Sequence, residues 1–294
     1  LSFLFVLGIL IFIHELGHFL VAKKVGVKVH KFSLGFPPEI LKKKVGDTTY
    51  CIGLIPLGGY VKMAGEDPDD TSTGAENEFG SKSILQRTAV ILAGPFMNYL
   101  LAIFLMIGVL YFGGTPIFDP DKILVGTVSE EGPAFAAGLK PDDIIIAVDG
   151  QPVHSFDSLR ALISHRIIEP VQITWLSAGD TVTKFIITKP YPMPNPDGTY
   201  DTVGIIGFIQ KPLRYDHPAL GNAIADGFIG THIIVRETFK FVKKVVTGQA
   251  SAKMIGGPLF IAQQSGKEAE KGVANLFFFM ALLSINLAVL NIMP

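Results

Sequence analysis

Cysteine is almost absent from this chain. Cys51 is the only one in 294 residues, which excludes an internal disulfide and any zinc site built on thiolates. Net charge is nearly absent too. A formal value of −1 leaves no excess of basic residues with which a nucleic-acid binder would neutralise phosphates. What the chain has in quantity is apolar surface: 49% of its residues are hydrophobic and its mean hydropathy is +0.43. That is too apolar for an ordinary soluble domain and too polar for a protein lying wholly in lipid. It points to a few spanning helices joined to a sizeable water-exposed part. Leu1 in place of Met, and an apolar run that breaks at Pro294, read as a piece of something longer.

Three segments approach the length of about twenty apolar residues that a bilayer core requires. The first, residues 1–22, is interrupted by His14, Glu15 and His18; the second (89–113) and third (273–294) carry no charge. The opening LSFLFVLGILIFI has neither a charged leader before it nor a small-residue cleavage site after it, so a signal peptide is the weaker reading. Lys23, Lys24, Lys28, Lys31, Lys42, Lys43 and Lys44 follow the first segment, and Lys82 and Arg87 precede the second. By the distribution of positive charge, residues 23–88 face the cytoplasm and the region between the second and third spans lies outside. Lys240, Lys243 and Lys244 count against that orientation.

Residues 26–65 read as a β-rich, membrane-associated or re-entrant region, with a turn at VGDT, residues 45–48. Within it, Ile55–Met63 would offer an edge on which an extended peptide can pair, with Gly58, Gly59, Tyr60 and Val61 as the substrate contacts. Residues 66–88 form a cytoplasmic loop, acidic and rich in small residues in its first part. Residues 120–190 have the rhythm of a small α/β module, with an Asp149-Gly150 turn and an amphipathic helix over SFDSLRALISHR. Residues 191–216 read as a linker, marked by Asn195, Asp197 and Gly198, followed by a strand at GIIGFI. Residues 217–272 have helical periodicity suited to a membrane surface.

The chemistry is concentrated in His14-Glu15-Leu16-Gly17-His18. Residues four apart share a helix face, so both imidazoles can address one metal ion, and Glu15 beside them can act as a base without being a ligand. Zinc suits imidazole, is redox-inert and ionises water near neutral pH. A chance match would have to keep three ionisable groups in an apolar span, each costing about 2.5 kcal/mol or more when charged at mid-bilayer. Two histidines are one ligand short of a catalytic zinc site. His30, His154, His165, His217 and His232 all fall outside the spans, and the residues alone do not identify the third ligand.

HELGH in a first span, then PLGGYVKM, then Gly94-Pro95-Phe96-Met97-Asn98 in a second span, then GPAFAAGLKPDDIIIAVDGQPV, together resemble the bacterial site-2 proteases of the regulator of sigma-E protease type. The resemblance covers nearly the whole chain in order. It implies a polytopic α-helical membrane protein with a membrane-associated β element and an extracytoplasmic α/β PDZ-like domain; one such domain stands here where the best-known members have two. It also implies a zinc endopeptidase in the bacterial plasma (inner) membrane, its active site near the cytoplasmic side. The substrate would be a membrane-spanning protein, an anti-sigma factor or a remnant signal peptide, and the PDZ-like domain would take a peptide or protein ligand. The third zinc ligand would be an aspartate of an Asn-x-x-Pro…Leu-Asp-Gly motif that Asn291-Ile292-Met293-Pro294 opens, so it would lie beyond Pro294. Asn291 is then a site residue by its place in that motif, and Asn98 and Asn286 either bond substrate or water or simply join helices. The other readings of the chain are a membrane-anchored PDZ scaffold with a vestigial metal site, a soluble-type zinc protease on an anchor, and a metal transporter.

Overall fold

In the computed structural model, which describes residues 1–66, 74–194, 200–249 and 256–293, the apolar N-terminus forms helix α1 (Ser2–Lys24). Its run of Leu, Ile, Phe and Val is broken by Gly8 and by the HELGH turn, and Lys23 and Lys24 close its last turn, where cations complement the helix dipole. Strands β1 (Val29–Val45) and β2 (Thr48–Met63) follow, turning at Gly46, whose φ is +59°. They make more than a simple hairpin. Lys31–Leu34 stands opposite Thr49–Ile52 and also opposite Gly59–Lys62, while Leu41–Lys44 pairs with Thr49–Ile52 from the far side. The chain folds back at Gly35 and Gly53, where a Cβ on Gly53 would stand 2.2 Å from the Phe36 carbonyl oxygen. Consequently Gly59–Lys62 lies at an edge of the sheet. The base of the sheet packs on α1 through Phe19, Ala22, Val27, Val29, Phe32 and Met63.

Helix α2 (Ile84–Gly108) starts five residues before the second apolar segment. Ser83 caps it, accepting from the Gln86 amide while Gln86 Oε1 accepts from Ser83 N, and this reciprocal box extends the helix back through Arg87. A π-helical turn over Val109–Gly113 continues it. Gly17 on α1 permits close approach to α2: a Cβ there would lie 2.4 Å from the Ala93 carbonyl oxygen.

Residues 114–217 form most of a second compact unit. Its elements are β3 (Thr115–Ile117), β4 (Ile123–Val128), α3 (Pro133–Ala137), β5 (Ile144–Val148), β6 (Gln151–Pro152), α4 (Phe156–Ile163), β7 (Pro170–Ser177), β8 (Asp180–Ile187), β9 (Lys189–Pro194), β10 (Tyr200–Ile205), β11 (Phe208–Gln210) and β12 (Arg214–Asp216). The main sheet runs β11-β4-β5-β7-β8, with β6 beside β5. Asp149 and Gly150, both at positive φ, make the turn that their sequence suggests. Trp175, Ile123, Val125, Leu159 and Ile173 fill the core. The stretch read as a linker is instead a hairpin over the residues described, Lys189–Pro194 pairing with Tyr200–Ile205; Asn195, Asp197 and Gly198 lie outside the described residues. Pro190, Pro192 and Pro194 alternate, so their missing N–H groups all fall on one edge and leave the other free to pair.

The chain then returns to the first unit as α5 (Leu220–Val246), α6 (Pro258–Glu270) and α7 (Val273–Leu290). Val6, Leu10, Leu105, Met106, Met280 and Ala281 join α1, α2 and α7 in one buried cluster, and Ala102, Ile285 and Val289 form a second. Among the described residues three helices are long and apolar enough to cross a membrane: Ser2–Lys24, Ile84–Gly113 with its π turn, and Val273–Leu290.

Candidate metal centre

His14 and His18 sit one turn apart on α1, half-buried, with their Nε2 atoms 3.1 Å from each other. The α2 backbone makes this possible. A Cβ at Gly94 would stand 2.4 Å from His18 Nε2 and 2.6 Å from His14 Nε2, so only glycine lets α2 pass under the two rings. His18 Nδ1 donates to the Val90 carbonyl oxygen at 2.8 Å, which fixes a proton on Nδ1 and bares the Nε2 lone pair. Asn98, fully buried, brings Nδ2 to 3.2 Å from His14 Nδ1. Its Oδ1 is buried without a hydrogen-bond partner among the described residues. The Asn98 carbonyl accepts from Ser284 Oγ at 2.7 Å, tying α7 to α2 at the level of the histidines.

Glu15 faces the sheet. The Val61 backbone amide interacts with its carboxylate, and its Cγ lies 3.5 Å from where a Cβ on Gly59 would be. Gly59 and Val61, taken from the sequence as substrate contacts, therefore border the glutamate. Gly58 gives room to the Phe36 ring, 2.4 Å from its would-be Cβ. Tyr60 stacks on Phe36 with ring centroids 6.4 Å apart, and Lys31 Nζ lies 5.4 Å from the Tyr60 ring centroid. Lys31 also pairs with Glu39, and its ammonium holds the Glu39 carboxyl below the ordinary carboxylate range. Asn286 is placed differently: its Oδ1 accepts from Thr238 Oγ1 of α5 at 3.5 Å. Asn291 caps α7, its amide donating to the Leu287 carbonyl, and Pro294 lies outside the described residues.

Two imidazole nitrogens at about 2.0–2.1 Å from one tetrahedral zinc stand about 3.3 Å apart, and the 3.1 Å between His14 Nε2 and His18 Nε2 fits such an ion. Among the described residues no group of three or more His, Cys, Asp or Glu side chains could hold a metal, so these two histidines are the donors this part of the chain brings. Sequence reasoning missed Val90, the role of Gly94 (quoted only within its motif) and Ser284. Gly94-Pro95 inside an apolar span was the available signal for the second of them, since neither residue favours a helix interior.

Comparison with known proteins points to a peptidase family. The profile of peptidase family M50 matches residues 2–294. A protein of Clostridium perfringens, provisionally named a zinc metalloprotease, is 35% identical over 97% of this chain and 80% of its own length. The zinc metalloprotease RasP of Geobacillus kaustophilus is 30% identical over 100% of this chain and 85% of its own. Among solved structures, the PDZ domain of an SdrC-like protein from Listeria monocytogenes aligns with 33% of this chain and 93% of its own, at 20% identity and a TM-score of 0.25. The chain belongs to peptidase family M50, the site-2 proteases, and is a zinc metalloendopeptidase.

Proposed function

We propose that the protein is an intramembrane protease that cuts membrane-spanning segments of other proteins, of the anti-sigma-factor or remnant-signal-peptide type, in regulated proteolysis. One observation carries this reading: His14, Glu15 and His18 lie inside a 23-residue helix apolar enough to cross a membrane, not beyond its end. Peptide hydrolysis there requires water, a base and an extended substrate at membrane depth. His14 and His18 would hold zinc. When bound, zinc supplies Lewis-acid activation of water and of the scissile carbonyl. Glu15 takes the proton from the attacking water and returns it to the leaving amine.

A helical substrate hides its carbonyls in its own hydrogen bonds and must unwind to be cut. The Gly59–Lys62 edge supports a way to offset that loss. Val61 presents its amide toward Glu15, so an unwound segment pairing along this edge would pass beside the base. In this reading the site lies near the cytoplasmic side of the bacterial inner membrane. The PDZ-like unit lies outside, where it takes a peptide or protein ligand and screens substrates.

The test is cleavage of a designed membrane helix reconstituted with the intact protein. Wild type should cut, chelation should abolish cutting, and Glu15→Gln should lower the rate by about 10²–10⁴-fold with zinc content unchanged. Full activity in Glu15→Gln would remove Glu15 as the base. Cleavage only of water-soluble peptides would remove the intramembrane substrate.

A further inference from the structure

The two histidines are oriented by different kinds of partner. His18 Nδ1 faces the Val90 carbonyl at 2.8 Å, an acceptor only, so its tautomer is settled by backbone. His14 Nδ1 faces a side-chain amide, Asn98 Nδ2 at 3.2 Å, and an amide can present either a donor or an acceptor at the same place by turning half a revolution about its last torsion. With Nδ2 toward the ring, His14 Nδ1 must accept and the proton sits on Nε2. From there it points at His18 Nε2, 3.1 Å away, and the pair closes on itself. With Oδ1 toward the ring, Nδ1 keeps the proton and both Nε2 lone pairs are free. Oδ1 is the atom buried without a partner among the described residues, on a side chain with no exposed surface.

We propose that Asn98 is a positioning residue whose amide orientation selects the tautomer of His14 and so decides whether the histidine pair can hold a metal ion. The inference rests on the reading of His14 and His18 as zinc ligands. It goes beyond that reading by assigning the buried amide a switching role: turned one way it readies the pair, turned the other it lets His14 donate to His18. The remaining attachment of Asn98, its carbonyl to Ser284 Oγ at 2.7 Å, uses the backbone and leaves the amide free to turn.

The test is zinc affinity, measured on the intact protein in detergent by competition with a chromophoric chelator. Asn98→Ala should weaken binding by about 10–100-fold, the usual cost of losing the partner that orients a ligating histidine. Asn98→Asp should bind at least as tightly as wild type, because a carboxylate only accepts and holds the proton on Nδ1. A helix-packing role would move both variants together, so equal weakening in Ala and Asp, or none in Ala, overturns the proposal. A second measurement needs no variant at position 98. Histidine-selective ¹⁵N spectra of the wild type should show His14 protonated at Nε2 after chelation and at Nδ1 after zinc is added, and protonation at Nδ1 in both overturns the switch. If His14→Ala and His18→Ala leave zinc affinity unchanged, the reading of the ligands fails and the proposal with it. That outcome is distinct from a failure at Asn98 alone.

Discussion

Gly94 is the residue on which the metal centre is most exposed to a single methyl group. A Cβ there would press on both Nε2 atoms, at 2.4 and 2.6 Å, on the side from which they address a common ion. Helix propensity argues the other way, since Gly→Ala in a helix interior gains roughly 0.5–1 kcal/mol. Overpacking costs about 1–3 kcal/mol and falls here on the ligands themselves, so it wins where it matters. Gly94→Ala should weaken zinc binding by about tenfold or more at 1.4 kcal/mol per tenfold while leaving the helix content intact by circular dichroism. Wild-type zinc affinity in this variant would show that the rings can retreat and that α2 does not confine them. The contrast with HELGH says what a sequence can reveal at this scale. His14, Glu15 and His18 are legible because helical spacing alone puts them on one turn. Val90, Gly94 and Asn98 lie more than seventy residues along the chain and meet the histidines only because Gly17 lets α1 and α2 touch, a contact no local pattern encodes.

At the scale of elements, the edge of β2 is where substrate geometry would be set. Gly59 has two constraints at once: a Cβ would lie 2.7 Å from the Ser33 carbonyl oxygen and 3.5 Å from Glu15 Cγ. A valine there pushes the edge away from β1 and toward the base. Gly59→Val should reduce kcat/KM for a membrane helix by about ten- to a hundredfold, corresponding to about 1.4–2.8 kcal/mol of misplacement, with zinc content unchanged. An equal loss of zinc would mean that the sheet supports the metal centre and not the substrate. The location of this β element was readable from its composition, and its turn from Gly46-Asp47. Its double pairing was not, because it depends on the chain folding back at Gly35 and Gly53. The stretch after Lys189 failed to read as structure for a different reason. Proline density suggests a linker until its period of two is noticed, and with that period Lys189–Pro194 is a strand with one usable edge.

For the whole molecule, the consequential feature is that residues 114–217 are an insertion with adjacent ends. The chain enters this unit through β3 and leaves through β12, and these two strands pair with each other, Thr115 opposite Asp216 and Ile117 opposite Arg214. The unit has a core of its own around Trp175, while the helices on either side of it join their own buried clusters. The two units therefore have separable stability, and excision should be tolerated. Replacing residues 114–217 by a short Gly/Ser linker should leave a folded protein with wild-type zinc content that still cuts a membrane helix with short tails. The change should appear with a substrate that carries a folded domain outside the membrane. If the inserted unit screens substrates, wild type leaves that protein intact and the excised variant cuts it. If both cut it, or neither does, the unit does not act as a size screen. Loss of zinc in the excised variant would instead show that the histidine pair depends on the inserted unit for its fold, and the two halves could no longer be treated as independent.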